Sequence, residues 1–492
     1  MSKLLRQSFW STIIIYFGVI LGFINSIILF PKFLTTEQIG LIRQILSASI
    51  MLVPLTTFGT SAAYLKFYPK FKGNNDQKNQ LFTFQLLIII LSYIIICSIV
   101  FLSIDFIKYY INDNSKLFFE YFHLLYMLVF IFSISSIFEA YLKSRYEIML
   151  NNYVNGVSNR FLTGIFLIFF SLNIIDFNIF LNLQILIYLL GLIILIIYSP
   201  KKEKIILDTS IRKIRKSIKK ILNFSSYSFL GNFSNILVLN IDILMVTSLL
   251  GLSNTGIYTT AFYIGMIIEI PRRAISQISL PFISENIQKN NYKIIQNNYR
   301  ETSINQMIIG VLLFNLILIN LDSIYDLMPN SEKFISGKSV VGIIALSKII
   351  IMSFSYNSEI ISLSKYYRFT VLLVMVLAIF TIGLNLILIP KYGMIGAAYS
   401  SLISVSVFNI IKFIFLKIKM GISPFNYKTS LLALIGILMY NTIIFIPDFK
   451  NPFIDILIKS FIITIIYLYV IIKFKFSPKF NDIFYNFFRL DR

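Results

Sequence analysis

The sequence predicts an all-α polytopic membrane protein. About fourteen transmembrane helices are expected: two six-helix bundles related by a pseudo-two-fold axis along the membrane normal, plus two extra C-terminal helices. Three observations predict this. The 492 residues are 57% hydrophobic and only 13% charged, against about 45–50% and about 25% in soluble domains. Apolar runs of about 20 residues, each long enough to cross roughly 30 Å of hydrocarbon, recur from end to end. Short motifs of the first half return in the same order in the second. The composition excludes a disordered chain, a coiled coil, a disulfide scaffold and an ordinary soluble enzyme. A single cysteine, Cys97, excludes an intramolecular disulfide, and a single histidine, His123, excludes a His dyad or a multi-His metal site.

The expected spans are 8–30, 40–64, 81–104, 118–142, 153–172, 177–198, 223–249, 255–281, 303–321, 340–361, 368–390, 393–415, 429–446 and 453–472. The first follows Lys3 and Arg6, lacks a small-residue cleavage site and is too long for a signal-peptide core, so it is expected to be retained. Orientation follows from the 44 lysines and arginines behind the net charge of +22. Segments on the far side from the N-terminus hold only Lys32, Lys108, Lys116, Lys333, Lys338, Lys391 and Lys450, while Arg43, Arg160, Lys348 and Lys459 lie inside spans. All the rest, Lys412 among them, are assigned to the side of the N-terminus. The positive-inside rule then puts both termini in the cytoplasm.

The densest basic block is 201–220, KKEKIILDTSIRKIRKSIKK. Ile211, Ile214, Ile218 and Ile221 form one stripe within it, which predicts an amphipathic helix lying along an anionic leaflet. The expected organisation is an N-terminal lobe (1–200), this basic linker (201–222), a C-terminal lobe (223–420), and two extra spans with a tail (421–492).

The lobes are inferred from matched motifs. Leu34, Gly40 and Pro54 correspond to Leu250, Gly256 and Pro271. Glu139 with Ser144-Arg145-Tyr146 corresponds to Glu359 with Ser364-Lys365-Tyr366. Arg160-Phe161 corresponds to Arg368-Phe369. Each match lies six spans apart, so both copies enter the membrane with the same polarity, as in transporters that alternate access around a central cavity.

A charge at the bilayer centre costs about 2.5–3.5 kcal/mol on the mildest scale, so charged residues inside spans mark partners or wet cavities. Glu269 precedes Arg272 and Arg273 by three and four residues, around Pro271. One acid cannot neutralise two guanidiniums, and a guanidinium fork suits a phosphate or pyrophosphate. Arg272, Arg273, Arg43 and Lys348 are the candidate substrate-binding residues. Asp242, Glu269 and Glu359 are the candidate ion-coupling residues, able to carry a proton or bind sodium with neighbouring oxygens. Glu139 has Lys143 four residues on and is expected to pair at the interface. Pro54 and Pro271 are expected to kink their spans. Lys459 is long enough to snorkel and is set aside as a candidate. No catalytic residue, metal ligand or cofactor is expected.

Several of these residues also carry a family resemblance. Phe30-Pro31-Lys32-Phe33-Leu34 followed by Glu37-Gln38-Ile39-Gly40-Leu41 resembles the first external loop of bacterial polysaccharide-biosynthesis flippases. Asp242, Gly256-Ile257-Tyr258 and Glu269-Ile270-Pro271-Arg272-Arg273 resemble their seventh and eighth spans. Asn385, Leu388-Ile389-Pro390, Gly393 and Gly396-Ala397-Ala398 resemble their eleventh and twelfth. The resemblance covers most of residues 8–430. The group lies in the multidrug/oligosaccharidyl-lipid/polysaccharide exporter superfamily. It implies a V-shaped pair of six-helix bundles in the bacterial inner membrane that flips undecaprenyl-pyrophosphate-linked sugar units, such as O-antigen-type units, between leaflets. The implied partners are the lipid-linked glycan, membrane lipid and other polysaccharide assembly proteins, with no nucleic acid. Lipid II flippases of this superfamily carry arginines within the first span; here none stands between Arg6 and Lys32. A surface polysaccharide unit is therefore the expected cargo. The alternatives are a sodium- or proton-coupled multidrug or metabolite exporter of the same fold, and a membrane glycan polymerase or ligase.

Overall fold

The computed structural model describes residues 3–71, 74–111, 116–145, 147–199, 206–441 and 447–478, and every regular element among them is helical. Helix α1 (3–33) contains one π-helical stretch, Ile24–Leu29. Helix α2 (Thr36–Thr57) is opened by a capping box: the Thr35 hydroxyl accepts from the Gln38 N–H, and the Gln38 side chain accepts from the Thr35 N–H. It continues past Pro54 and stops at Phe58, whose φ of 46° is left-handed. Helices α3 (Asn75–Leu102), α4 (Phe122–Lys143), α5 (Ile148–Ser171), α6 (Phe177–Tyr198) and α7 (Arg215–Leu250) follow. Next come α8 (Leu252–Met266), α9 (Ile270–Gln288), α10 (Tyr292–Ile319), α11 (Lys338–Ser353), α12 (Tyr367–Tyr392), α13 (Met394–Met420), α14 (Tyr427–Asn441) and α15 (Pro452–Lys473).

Among the described residues, twelve helices are long and apolar enough to cross a membrane: α1–α7, α10–α13 and α15. The two further expected spans look different. The eighth is divided, because a 3-10 turn at Ile267–Glu269 separates α8 from α9. Pro271 sits in the first turn of α9, where its missing N–H costs nothing. It therefore begins a new helix rather than kinking an old one. The thirteenth, α14, has 15 described residues, and its expected end at 442–446 lies outside the described residues.

The chain divides into two compact units, Met1–Thr259 with Val374–Ile382, and Thr260–Leu373 with Gly383–Arg492. In the first, α2 packs against α4, α3 and α7. Its core joins Tyr64, Phe67, Phe82, Ile137 and Tyr141 to Ile214 and Ile221. At the other end of α2 two backbones touch. A Cβ on Gly40 would lie 1.9 Å from the Leu252 carbonyl oxygen, and one on Gly256 would lie 2.0 Å from that of Thr36. Only glycine permits this approach. It is flanked by hydroxyl contacts, Thr36 to Ser253 at 2.7 Å and Thr247 to both Gln44 and Thr255 at 2.7 and 2.8 Å.

In the second unit α10 packs against α11, α14 and α15. The last two helices thus share a core with α10 through Met307, Val311, Leu432 and Tyr467. Lys459 does not snorkel. It is buried and pairs with Asp455 at 2.9 Å and Asp448 at 2.7 Å. Asp455 also accepts from the Ser323 hydroxyl and the Phe449 N–H, so the buried carboxylate is fully used.

The basic linker differs from its expected form. Residues 201–205 lie outside the described residues, 206–214 form turns, and α7 begins only at Arg215. The isoleucine stripe faces protein, not lipid: Ile214 and Ile221 are buried in the first unit's core, and Ile211 and Ile218 pack against it. Polar groups on α3 hold the turns. Gln80 donates to Asp208 and Ser210 and accepts from the Lys213 N–H, Thr83 accepts from the Asp208 N–H, and Lys213 pairs with Asp76. The hydrogen bonds from Gln80 and Ser210 hold the Asp208 carboxyl below the usual aspartate range.

Candidate functional site

Several charges of the second unit, apart from the Asp455–Lys459 pair, converge on the break between α8 and α9. The 3-10 turn ends at Glu269, which is buried, and α9 then carries Arg272 and Arg273 on its first turn. A Cβ on Gly265 would lie 2.9 Å from the Ile344 side chain and 3.1 Å from the Ala345 backbone nitrogen, so α8 and α11 pack closely there. Lys348, one turn beyond Ile344, reaches Glu269 with Nζ 3.0 Å from Oε2. The other oxygen faces Arg272 at 3.6 Å and Arg273 at 3.8 Å. One carboxylate therefore meets three cations.

Arg272 also bridges to a second carboxylate. Its Nη2 lies 3.5 Å from Glu359 Oε1, and its Nε donates to the Ser355 carbonyl at 3.2 Å. Ser355 has a left-handed φ of 50°, in the turn between α11 and the short helix Asn357–Leu363 that carries Glu359. Tyr299 of α10 fixes that turn by donating to the Phe354 carbonyl at 3.0 Å. Glu359 Oε2 is buried and accepts no hydrogen bond among the described residues. Lys412 of α13 is also buried. It donates to the Ser358 hydroxyl at 2.6 Å and lies 3.7 Å from the centre of the Phe408 ring, with no carboxylate within 4 Å among the described residues. Four cations thus stand against two carboxylates, and the cluster is net positive.

The structure brings together Glu269, Arg272, Arg273, Lys348 and Glu359 of the residues expected to act. Arg272 is largely buried, whereas the Arg273 side chain is 52% exposed. The premise that one acid serves both arginines is corrected, because Glu359 serves Arg272 as well. Asp242 and Arg43 belong to the first unit, each with its own partners. Buried Asp242 accepts from the Tyr258 hydroxyl at 3.3 Å. Arg43 donates to Ser26 at 2.8 Å and lies 5.3 Å from the Phe30 ring centre. Glu139 pairs with Lys143 at 3.0 Å and accepts from Asn155. Glu139 and Glu359, matched in sequence, are therefore used differently.

Sequence reasoning missed Lys412, which was assigned to the cytoplasmic side. The available signal was its surroundings, Phe408, Phe413, Phe415 and Leu416, which are those of a membrane-embedded residue. It also missed Ser355 and Ser358, for which no signal stands out in the sequence.

The twelve long apolar helices among the described residues define a helical polytopic membrane protein. Its fold is similar to that of a lipid II flippase, MurJ, in an inward closed conformation, with a TM-score of 0.73, 14% identity and coverage of 94% of this chain and 98% of that one. It is also similar to an inward-facing MATE multidrug resistance transporter, with a TM-score of 0.67, 14% identity and coverage of 82% and 94%. The chain belongs to the polysaccharide biosynthesis protein family, whose model matches residues 4–287. An uncharacterized membrane protein of Methanocaldococcus jannaschii, MJ1068, is 22% identical over 93% of this chain and 92% of its own length. The "probable low-salt glycan biosynthesis flippase Agl15" of Haloferax volcanii is 24% identical over 58% of this chain and 62% of its own length.

Proposed function

We propose that this protein flips lipid-linked glycan units across the membrane by alternating access, and that the cluster around Glu269 receives the phosphate-bearing headgroup. The observation that carries the reading is Arg272, a largely buried guanidinium shared between two carboxylates inside a net-cationic cluster. A phosphate or pyrophosphate entering there exchanges carboxylate contacts for bidentate ones, which are shorter and stronger. Arg273, half exposed, makes first contact, and Lys348 keeps Glu269 occupied while Arg272 turns to the cargo. The family and the flippase relative support a glycan cargo. The finer reading is a pyrophosphate-linked unit on an isoprenoid carrier of the undecaprenyl class, for surface polysaccharide assembly in a cytoplasmic membrane with both termini inside.

If transport is coupled to protons or sodium, Glu359 is the carboxylate to exchange them, because one of its oxygens accepts no hydrogen bond among the described residues. Glu269 is held by three cations, and Asp242 by the Tyr258 hydroxyl. The test is reconstitution of the full-length protein in proteoliposomes with a fluorescent isoprenyl-pyrophosphate-linked sugar. Expected is flipping that the double variant R272A/R273A abolishes and R272K/R273K weakens. Absence of flipping by the wild type, together with ion-driven export of a cationic dye, would replace this reading with the multidrug exporter.

A further inference from the structure

Helix α7 is longer than a membrane is thick. Its 36 residues rise about 54 Å at 1.5 Å each, against roughly 30 Å of hydrocarbon and about 40–45 Å with both headgroup layers. Its far end closes at Gly251, directly before α8. The surplus therefore falls at the basic end, and its first three turns stand in the headgroup layer and beyond. One face of these turns is fixed against the protein by buried Ile214 and Ile221.

On these turns lies an open groove of about 830 Å³, lined by Arg215, Ile218, Lys219, Lys220, Leu222 and Asn223 among others. Arg215, Lys219 and Lys220 are exposed, and among the described residues none has a carboxylate within 4 Å. Cations in the first turns of a helix oppose its dipole, so helix stability does not account for them. Leu222 exposes 38% of its surface beside them. A groove with cations, an amide and two aliphatic side chains suits a ligand with an anionic head and an apolar stem.

We propose that this groove binds the phosphate headgroup of an anionic membrane phospholipid, with Arg215, Lys219 and Lys220 on the phosphate and Ile218 and Leu222 against the start of an acyl chain. The lipid would fasten the basic end of α7 to the leaflet it emerges from. A free phosphate would satisfy the cations but leave the aliphatic lining wet.

The test uses full-length protein in neutral detergent, titrated with phosphatidylglycerol, phosphatidylcholine or inorganic pyrophosphate, and reads bound lipid by native mass spectrometry. Phosphatidylglycerol should bind and phosphatidylcholine should not. Each cation near a charged surface contributes roughly fivefold in affinity, so R215Q/K219Q/K220Q should weaken binding on the order of a hundredfold and K219Q alone about fivefold. A control triple at other basic helix ends, K417Q/K419Q/K473Q, should change it less than about threefold. Equal loss in the control would reduce the effect to general surface charge and overturn the site. So would undiminished binding in the groove triple, or pyrophosphate binding as tightly as the lipid. Should the triple variant fold poorly, K219Q alone decides.

Discussion

Arg272 and Lys348 touch the same carboxylate, yet the structure separates their roles. Arg272 is held by contacts of 3.6, 3.5 and 3.2 Å, all longer than the roughly 2.7–2.9 Å of a strong charge-assisted bond. Lys348 lies 3.0 Å from Glu269, and their side chains are only 8% and 12% exposed. Removing Lys348 leaves a buried carboxylate with two long contacts. K348M should therefore cost about 3 kcal/mol, the lower end for breaking a buried pair. R272A leaves the Lys348–Glu269 pair intact and should cost only about 1–2 kcal/mol. For transport the order reverses. A hydrogen bond to a charged group contributes about 1.5–3 kcal/mol, so losing the Arg272 fork should slow flipping roughly 10- to 150-fold in folded protein. R272K should recover part of this, because charge returns without the fork. The assays are thermal unfolding of purified variants and initial flipping rates in proteoliposomes, normalised to folded protein. R272A flipping at the wild-type rate would refute the argument. So would K348M unfolding at the wild-type temperature, since Glu269 would then not depend on its closest cation.

Three further outcomes follow from other parts of the molecule. In a C97A background, T36C/S253C replaces two hydroxyls 2.7 Å apart; oxidation should cross-link α2 to α8 and stop flipping, and reduction should restore it, as read by gel mobility and rate. D455A leaves Lys459 buried with only Asp448 and should cost about 3 kcal/mol, seen as a lower unfolding temperature. Asp208 titrates below the usual aspartate value in the folded protein, so its contribution is present above that value and is lost as pH falls through the lower folded one. Amide protection at 206–214, measured relative to the intrinsic exchange rate at each pH, should fall on acidification below about pH 4, and D208N should show low protection already at pH 7.

Sequence made the helices legible because hydrophobic run length is a direct reading of membrane thickness. It exposed Glu269, Arg272 and Arg273 because charges among apolar neighbours stand out. It pointed to Glu359 through the repeat, while the pairing with Arg272 depends on the Ser355 turn, which no local pattern announces. The misreadings share one physical cause: a sequence shows that a residue has a face, not what covers it. The isoleucine stripe of the linker has the period of a surface helix, but the α3 amides and the first unit's core are what it meets. Lys412 and Lys459 read as residues that reach water at a span's end, because a long side chain permits it. Both are buried instead, one by a hydroxyl and an aromatic ring, the other by two aspartates. For Lys412 this bears on function. A buried ammonium with no carboxylate within 4 Å among the described residues stands on Ser358, the residue before Glu359. If cargo takes Arg272, Glu359 loses its guanidinium, and Lys412 is the nearby cation that can answer it. K412M should therefore slow flipping without weakening cargo binding, whereas R272A should weaken both. Equal losses of binding in the two variants would place Lys412 among the residues that hold the cargo.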